Sequence, residues 1–164
     1  MIEIFWSELT YGLPNPIQLA HVIIRLIAAM LLGALVGYQR EQAGKSAGLR
    51  THMLVALGTA LFVLAATGSG MSSDGVSRVI QGLASGIGFI GAGAILKLGA
   101  TREIKGLTTA AGIWMTAAIG VAAGVGALGL ALLGALLTWV VLASIGLFEI
   151  KQDNDKKDTK NYED

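Results

Sequence analysis

The sequence predicts an all-α, polytopic membrane helix bundle with five transmembrane helices, its N-terminus outside and its C-terminus cytoplasmic. Three observations lead there. Of the 164 residues, 54% are hydrophobic and 14% are charged. The apolar residues come as long uncharged runs, each near the twenty or so residues that cross a bilayer. The basic residues gather in two short loops, and an odd number of crossings puts both loops and the tail on one side. A soluble domain is excluded by this composition. With no cysteine in the chain, disulfides, thiol nucleophiles and thiolate metal sites are excluded as well. A formal charge of +1 says little about partners, and no basic patch suggests nucleic acid.

Residues 1–16 mix Phe5, Trp6 and Tyr11 with Glu3 and Glu8, as suits the polar edge of a membrane, and form an interfacial N-terminal segment. No lysine or arginine precedes Arg25, so the basic start of a cleavable signal peptide is missing and the first span is expected to be retained. Asn15 followed by Pro16 is a good helix start, asparagine as a cap and proline in the first turn. The first span covers about 17–38. After the loop QREQAGKSAGLR a second follows at about 51–69, and after the turn SGMSSDGVS a third at about 77–97. Beyond the loop KLGATREIK no charge occurs from Gly106 to Phe148. As one helix that stretch would be roughly 65 Å long, twice the hydrocarbon thickness. It must turn once, at the glycine-rich GVAAGVGALG, which gives spans at about 106–124 and 128–148. The tail, 149–164, carries charges of both signs with little to bury, and disorder is expected. The two loops hold Arg40, Lys45, Arg50, Lys97, Arg102 and Lys105, whereas the opposite side offers only Arg78; the loops and tail therefore face the cytoplasm.

The segment SGIGFIGAGAI, residues 85–95, contains G-x-G-x-x-G at Gly86, Gly88 and Gly91. A dinucleotide turn of that spacing follows a strand and opens a helix whose free amides hold a pyrophosphate. Here the glycines fall inside a span, where backbone amides are already committed to helix bonds. Close helix packing is the better reading. At 100° per residue Gly82, Gly86 and Gly93 share one side with Phe89, while Ala84, Gly88, Gly91 and Ala92 cluster on the other. A helix thin on two faces is expected at the centre of the bundle; a kinked or substrate-lining helix is the alternative.

Polar residues within spans are costly and therefore informative. Gln18, His21 and Arg25 share one face of the first span, as Arg78, Gln81 and Ser85 do in the third. Both stripes lie toward the outer half, with Asp74 as the acidic residue nearest to them. They suggest either an extracytoplasmic polar cavity for a small anion or polar molecule, or a buried pair of Asp74 with Arg25 or Arg78 that fixes helix register. No Asp or Glu falls within the five spans, so a carboxylate-lined cation path is disfavoured. Thr108, Thr109 and Thr116 remain available to line one. His21 and His52 read as polar residues at helix ends rather than metal ligands. No nucleophile, base and orienting acid form a group, and no cofactor, metal site or enzymatic activity is expected. A faint parallel repeat relates GLRTHMLVALGTAL (48–61) to GLTTAAGIWMTAAI (106–119), each preceded by an Arg-Glu pair.

Arg25 with LLGALVGYQRE, AGLRTHMLVALG, the run from Arg78 through GIGFIGAGAI, and GLTTAAGIWMTAAIGVAAG occur in order. Together they resemble the MgtC/SapB family of membrane proteins over residues 20 to about 148, the membrane domain only. The resemblance makes Arg25, Arg40, Glu41, Arg50, Thr51, His52, Asp74, Arg78, Gly86, Gly88, Gly91, Gly93, Thr108, Thr109 and Trp114 signature positions. With them go Arg102 and Glu103 of the second loop. It implies a bacterial inner-membrane, multi-pass protein linked to magnesium limitation, acid stress and, in some pathogens, virulence within macrophages. Members are associated with inhibition of the proton-translocating ATP synthase and with magnesium uptake systems. Two departures bear on the transfer. Some sixteen tail residues stand where well-known members carry a C-terminal ACT-like domain, so roles of that domain are not carried over. Gln39 stands where members often have an acidic residue.

The expectation is thus a non-enzymatic regulatory membrane protein that docks its helices against a partner such as the ATP synthase, or against a second copy as a homodimer. Membrane lipid is its other partner. The alternative is a small transporter or channel for magnesium or another small solute, using the cavity of Gln18, His21, Arg25, Asp74, Arg78 and Gln81.

Overall fold

The computed structural model describes the backbone of residues 1–10, 16–97 and 104–160, and the side chains of residues 1–8, 16–95 and 104–144. A short exposed helix α1 (Ile2–Thr10) is followed by five long ones: α2 (Pro16–Gln42), α3 (Leu49–Gly68), α4 (Ser73–Gly93), α5 (Leu107–Val125) and α6 (Leu128–Lys160). In α1, Ile2, Ile4, Phe5 and Trp6 are exposed rather than packed in the bundle core. The predicted Asn15 cap lies outside the described residues.

Helices α2, α3 and α5 are long and apolar enough to cross a membrane, and α6 is apolar over Leu128–Ser144. Each boundary has a local cause. Ser72 caps α4 by accepting from the Gly75 amide. The carboxylate of Glu41, in the last turn of α2, accepts from the Leu49 amide at 2.8 Å and so satisfies the first amide of α3. Gly126, at φ 92°, takes the left-handed conformation that ends α5 and lets α6 start two residues later. Two departures from the sequence expectations concern secondary structure. Residues 96–97 and 104–105 pair as a two-residue antiparallel ladder, Leu96 with Lys105 and Lys97 with Ile104. Helix α6 runs on through Lys160, where disorder is expected. The tail contains no proline or glycine, and Lys151 with Asp155 and Asp153 with Lys157 have the i, i+4 spacing that supports a solvated helix.

Contacting residues reveal the helix directions. His52 meets Thr116, and a Cβ on Gly120 or Gly124 would strike Ala56 or Ala60. Partner numbers rise together, so α3 and α5 are parallel. On the α2–α3, α2–α5, α4–α5 and α5–α6 seams they run oppositely, as with Arg40 at Thr109 and Arg25 at Gly124. The long helices therefore alternate in direction along the chain.

Helices α2, α3, α5 and α6 enclose the main core of Ala29, Val36, Ala56, Ala60, Ile119, Ala123, Ala131, Ala135 and Leu142. Its small residues bring backbones close. A Cβ on Gly33 would lie 2.6 Å from the His52 carbonyl oxygen, and one on Gly37 2.8 Å from Leu49 Cα. One on Gly124 would lie 2.9 Å from the Ala60 carbonyl oxygen, and one on Gly120 would overlap Thr59 and Ala56. Helix α3 is thus clamped between glycine pairs of α2 and α5, each pair four apart.

This corrects the placement of α4. It is a peripheral helix, in which Ile87 and Gly91 are the buried residues. Gly82, Gly86, Gly88 and Gly93 face open space, and only Gly91, against Ala110, makes a helix contact among these five. The glycine periodicity correctly shows two thin faces, but thin faces do not specify which of them meets a neighbour of the same chain.

Candidate functional site

At the end of the bundle that carries the basic loops, the polar residues converge on the α2–α3–α5 seam. Arg40, in the last turn of α2, is 3% exposed and donates from Nη2 to Thr109 Oγ1 at 3.1 Å. His52, one turn into α3, is fully buried, and its Nδ1 lies 2.7 Å from Thr116 Oγ1. The same hydroxyl donates to the Gly112 carbonyl at 2.9 Å. A hydroxyl has one proton to give. Given to Gly112, it leaves Nδ1 as the N–H donor and His52 Nε2 as a buried acceptor, which has no hydrogen bond among the described residues. Glycine makes room for the ring: a Cβ at Gly112 would lie 3.5 Å from His52 Cε1. Both threonine hydroxyls are thereby engaged with side chains of other helices, which ties α2 and α3 to α5 where an apolar seam would leave rotation free.

The other signature residues separate around this cluster. Glu41 caps α3 from the surface, and Gly48 leaves the space its carboxylate occupies. Arg50 and Thr108 are exposed and Thr51 is half-buried. Arg102 and Glu103 lie outside the described residues. Trp114 is exposed on α5. The Arg40–Thr109 and His52–Thr116 pairs were not expected from the sequence, and neither were the packing glycines Gly33, Gly37, Gly120 and Gly124. The glycines did leave a signal, two G-x-x-x-G spacings in LLGALVG and GVAAG. The polar pairs left none, because each joins residues more than sixty positions apart.

At the other end, the residues of the expected outer cavity do not assemble. Arg25 is half-buried and donates from Nη1 to the Gly124 carbonyl at 3.1 Å, with its guanidinium packed over Gly126. It thus satisfies the last turn of α5, where free carbonyls and the helix dipole favour a cation. Gln18 and His21 are exposed on α2, and Asp74, Arg78 and Gln81 are exposed on α4. Neither Asp74 nor Arg78 forms an ion pair among the described residues, so the alternative of a buried pair of Asp74 with Arg25 or Arg78 does not form here. Gln81 instead lines a separate open pocket of about 590 Å³ in the α3–α4 groove, with Thr67, Met71, Ser73, Ser77 and Ile80. No group of three or more His, Cys, Asp or Glu side chains able to hold a metal ion occurs among the described residues.

The family model described as "MgtC family" matches residues 26–150. The chain belongs to the MgtC family. Protein SrpB of Synechococcus elongatus is 45% identical over 130 residues, covering 73% of this chain and 71% of that protein. Putative magnesium transporter YhiD of Escherichia coli is 44% identical, covering 75% and 60%. Protein MgtC of Salmonella typhimurium is 43% identical, covering 79% and 54%. The MgtC-family chain therefore spans little more than half the length of some curated relatives. No solved structure matches it significantly. Arg40, Glu41, His52, Thr109 and the core glycines of the clamped α2–α3–α5 unit lie within the matched region, and Arg25 immediately precedes it.

Proposed function

We propose that this protein is a non-enzymatic regulatory protein of the bacterial inner membrane, acting by docking helices against a partner rather than by passing a solute. One observation carries the reading: the interior is solid. Backbone-to-backbone glycine contacts fill the α2–α3–α5 seam, and its buried polar groups, Arg40 and His52, bond to Thr109 and Thr116 across it. The exposed large apolar side chains meanwhile lie on outer faces of all five long helices, most densely on α2 and α6. In this reading α2 to α6 make five crossings with the N-terminus outside and the tail in the cytoplasm. The alternation of helix directions supports five crossings. The basic residues Arg40, Lys45, Arg50 and Lys105 at one end support the orientation. The family resemblance supports a role in adaptation to low magnesium and acid stress through the proton-translocating ATP synthase. Affinity capture of the full chain from membranes of its own host, after mild cross-linking, tests this. ATP-synthase subunits should be recovered above the level seen with an unrelated multi-pass protein; their absence would contradict the partner.

A transporter is the second reading. It is favoured by the printed name of one relative, a putative magnesium transporter, and by the open pocket between α3 and α4, a mostly apolar groove that carries Thr67, Ser73, Ser77 and Gln81.

A further inference from the structure

Helix α4 is packed on one side and polar on another. Ile87 packs with Ile113 and Ala117, and Gly91 rests on Ala110. At 100° per residue, Asp74, Arg78, Gln81, Ser85, Gly88 and Ala92 lie within about 40° of one direction, turned away from that contact. All six are exposed. These contacts bring Ser85 level with the middle of α5, a helix long and apolar enough to cross a membrane. In the five-crossing reading, on which this inference rests, the stripe therefore runs from the membrane surface toward mid-bilayer. A charged, amide and hydroxyl face is a poor surface to show to hydrocarbon.

We propose that this face of α4 docks onto the same face of a second copy of the chain, forming a two-fold dimer whose axis follows the membrane normal. Two copies inserted alike place their α4 helices parallel, each residue level with its equivalent. The face complements itself under that symmetry. Asp74 and Arg78 are opposite charges one helical turn apart, so each is level with its own copy and reaches the opposite charge on the diagonal, one turn along the partner helix. The Gln81 amide is both donor and acceptor and pairs with its own copy. Gly88 and Ala92, four apart, let the backbones approach where the stripe loses its polar groups. A glycine at 88 that meets nothing within its own chain acquires a reason. Phe89, 84% exposed, flanks the seam.

The chain has no cysteine, so single cysteines report contacts without background. Ser85→Cys, in the full chain in native membranes treated with copper phenanthroline, should give a disulfide-linked species of twice the chain mass, and Leu132→Cys on exposed α6 should not. Adding Gln81→Leu or Gly88→Leu to Ser85→Cys should lower that product about tenfold while the folded monomer persists. The dimer is overturned if Ser85→Cys gives no such species, if Leu132→Cys gives as much, or if the product has the mass of another protein. A membrane-impermeant maleimide separates the two claims. Free labelling of reduced Ser85→Cys would remove α4 from the bilayer and the dimer with it; protection without cross-linking would leave five crossings standing and remove the dimer alone.

Discussion

Thr116 shows how a single hydroxyl can couple helices inside a membrane bundle. Its proton satisfies a carbonyl on its own helix while its lone pair receives the His52 ring from α3. Thr116→Val keeps the shape and removes both bonds, leaving Nδ1 of a fully buried imidazole without a partner. Thermal unfolding in detergent should show a loss of about 1–3 kcal/mol, whereas Thr116→Ser should stay close to the parent. Equal behaviour of the two variants would mean that the hydrogen bond contributes nothing. Arg25 illustrates what the sequence does disclose at this scale. Its cost in lipid says that it must face the bundle and find an acceptor. The acceptor is the backbone carbonyl of Gly124, and because any helix end supplies such carbonyls whatever its residues, no sequence pattern marks it. Asp74, the acid the sequence offers for the role, sits instead on the outward face of α4.

Helix order and boundaries are more legible than helix neighbours. Hydrophobic run length, Asn15-Pro16 and the charge-free stretch from Gly106 to Phe148 give five long helices whose starts lie within a few residues of those observed, although α6 runs on to Lys160, since each signal is local. Which glycines touch a neighbour depends on tertiary placement. G-x-x-x-G occurs in α2 and α5 as plainly as glycine does in α4, yet Gly33, Gly37, Gly120 and Gly124 form the seams, whereas four of the five α4 glycines from Gly82 to Gly93 face outward. The contrast yields a paired prediction. Gly120→Ala would drive a methyl group into Thr59 and the Ala56 backbone and should cost roughly 1–3 kcal/mol. Gly86→Ala meets nothing and should be neutral or stabilising by up to about 1 kcal/mol through helix propensity. Both follow from melting curves of the purified protein, and a larger penalty at Gly86 than at Gly120 would reverse the assignment of central and peripheral helices. The α6 extension also belongs to this scale: tail composition argues for disorder, while the i, i+4 charge spacing within it favours the helix that is observed.

For the molecule as a whole, membership of the MgtC family and the clamped α2–α3–α5 unit describe the same object, a compact membrane module whose polar groups are turned to two different uses. The inner ones, Arg40, His52, Thr109 and Thr116, hold helices to one another. The outer ones on α4 remain available to another chain. The proposed function follows from that design: such a module would regulate by contact, and its glycine-packed α2–α3–α5 seam would pass no ion. Magnesium flux into liposomes containing the purified full chain tests that claim most directly. Liposomes loaded with a magnesium-sensitive dye should remain as tight as protein-free vesicles under an imposed gradient, and Arg25→Ala should change nothing. Magnesium entry that depends on the protein and disappears in Arg25→Ala would contradict the account and establish the transporter in its place.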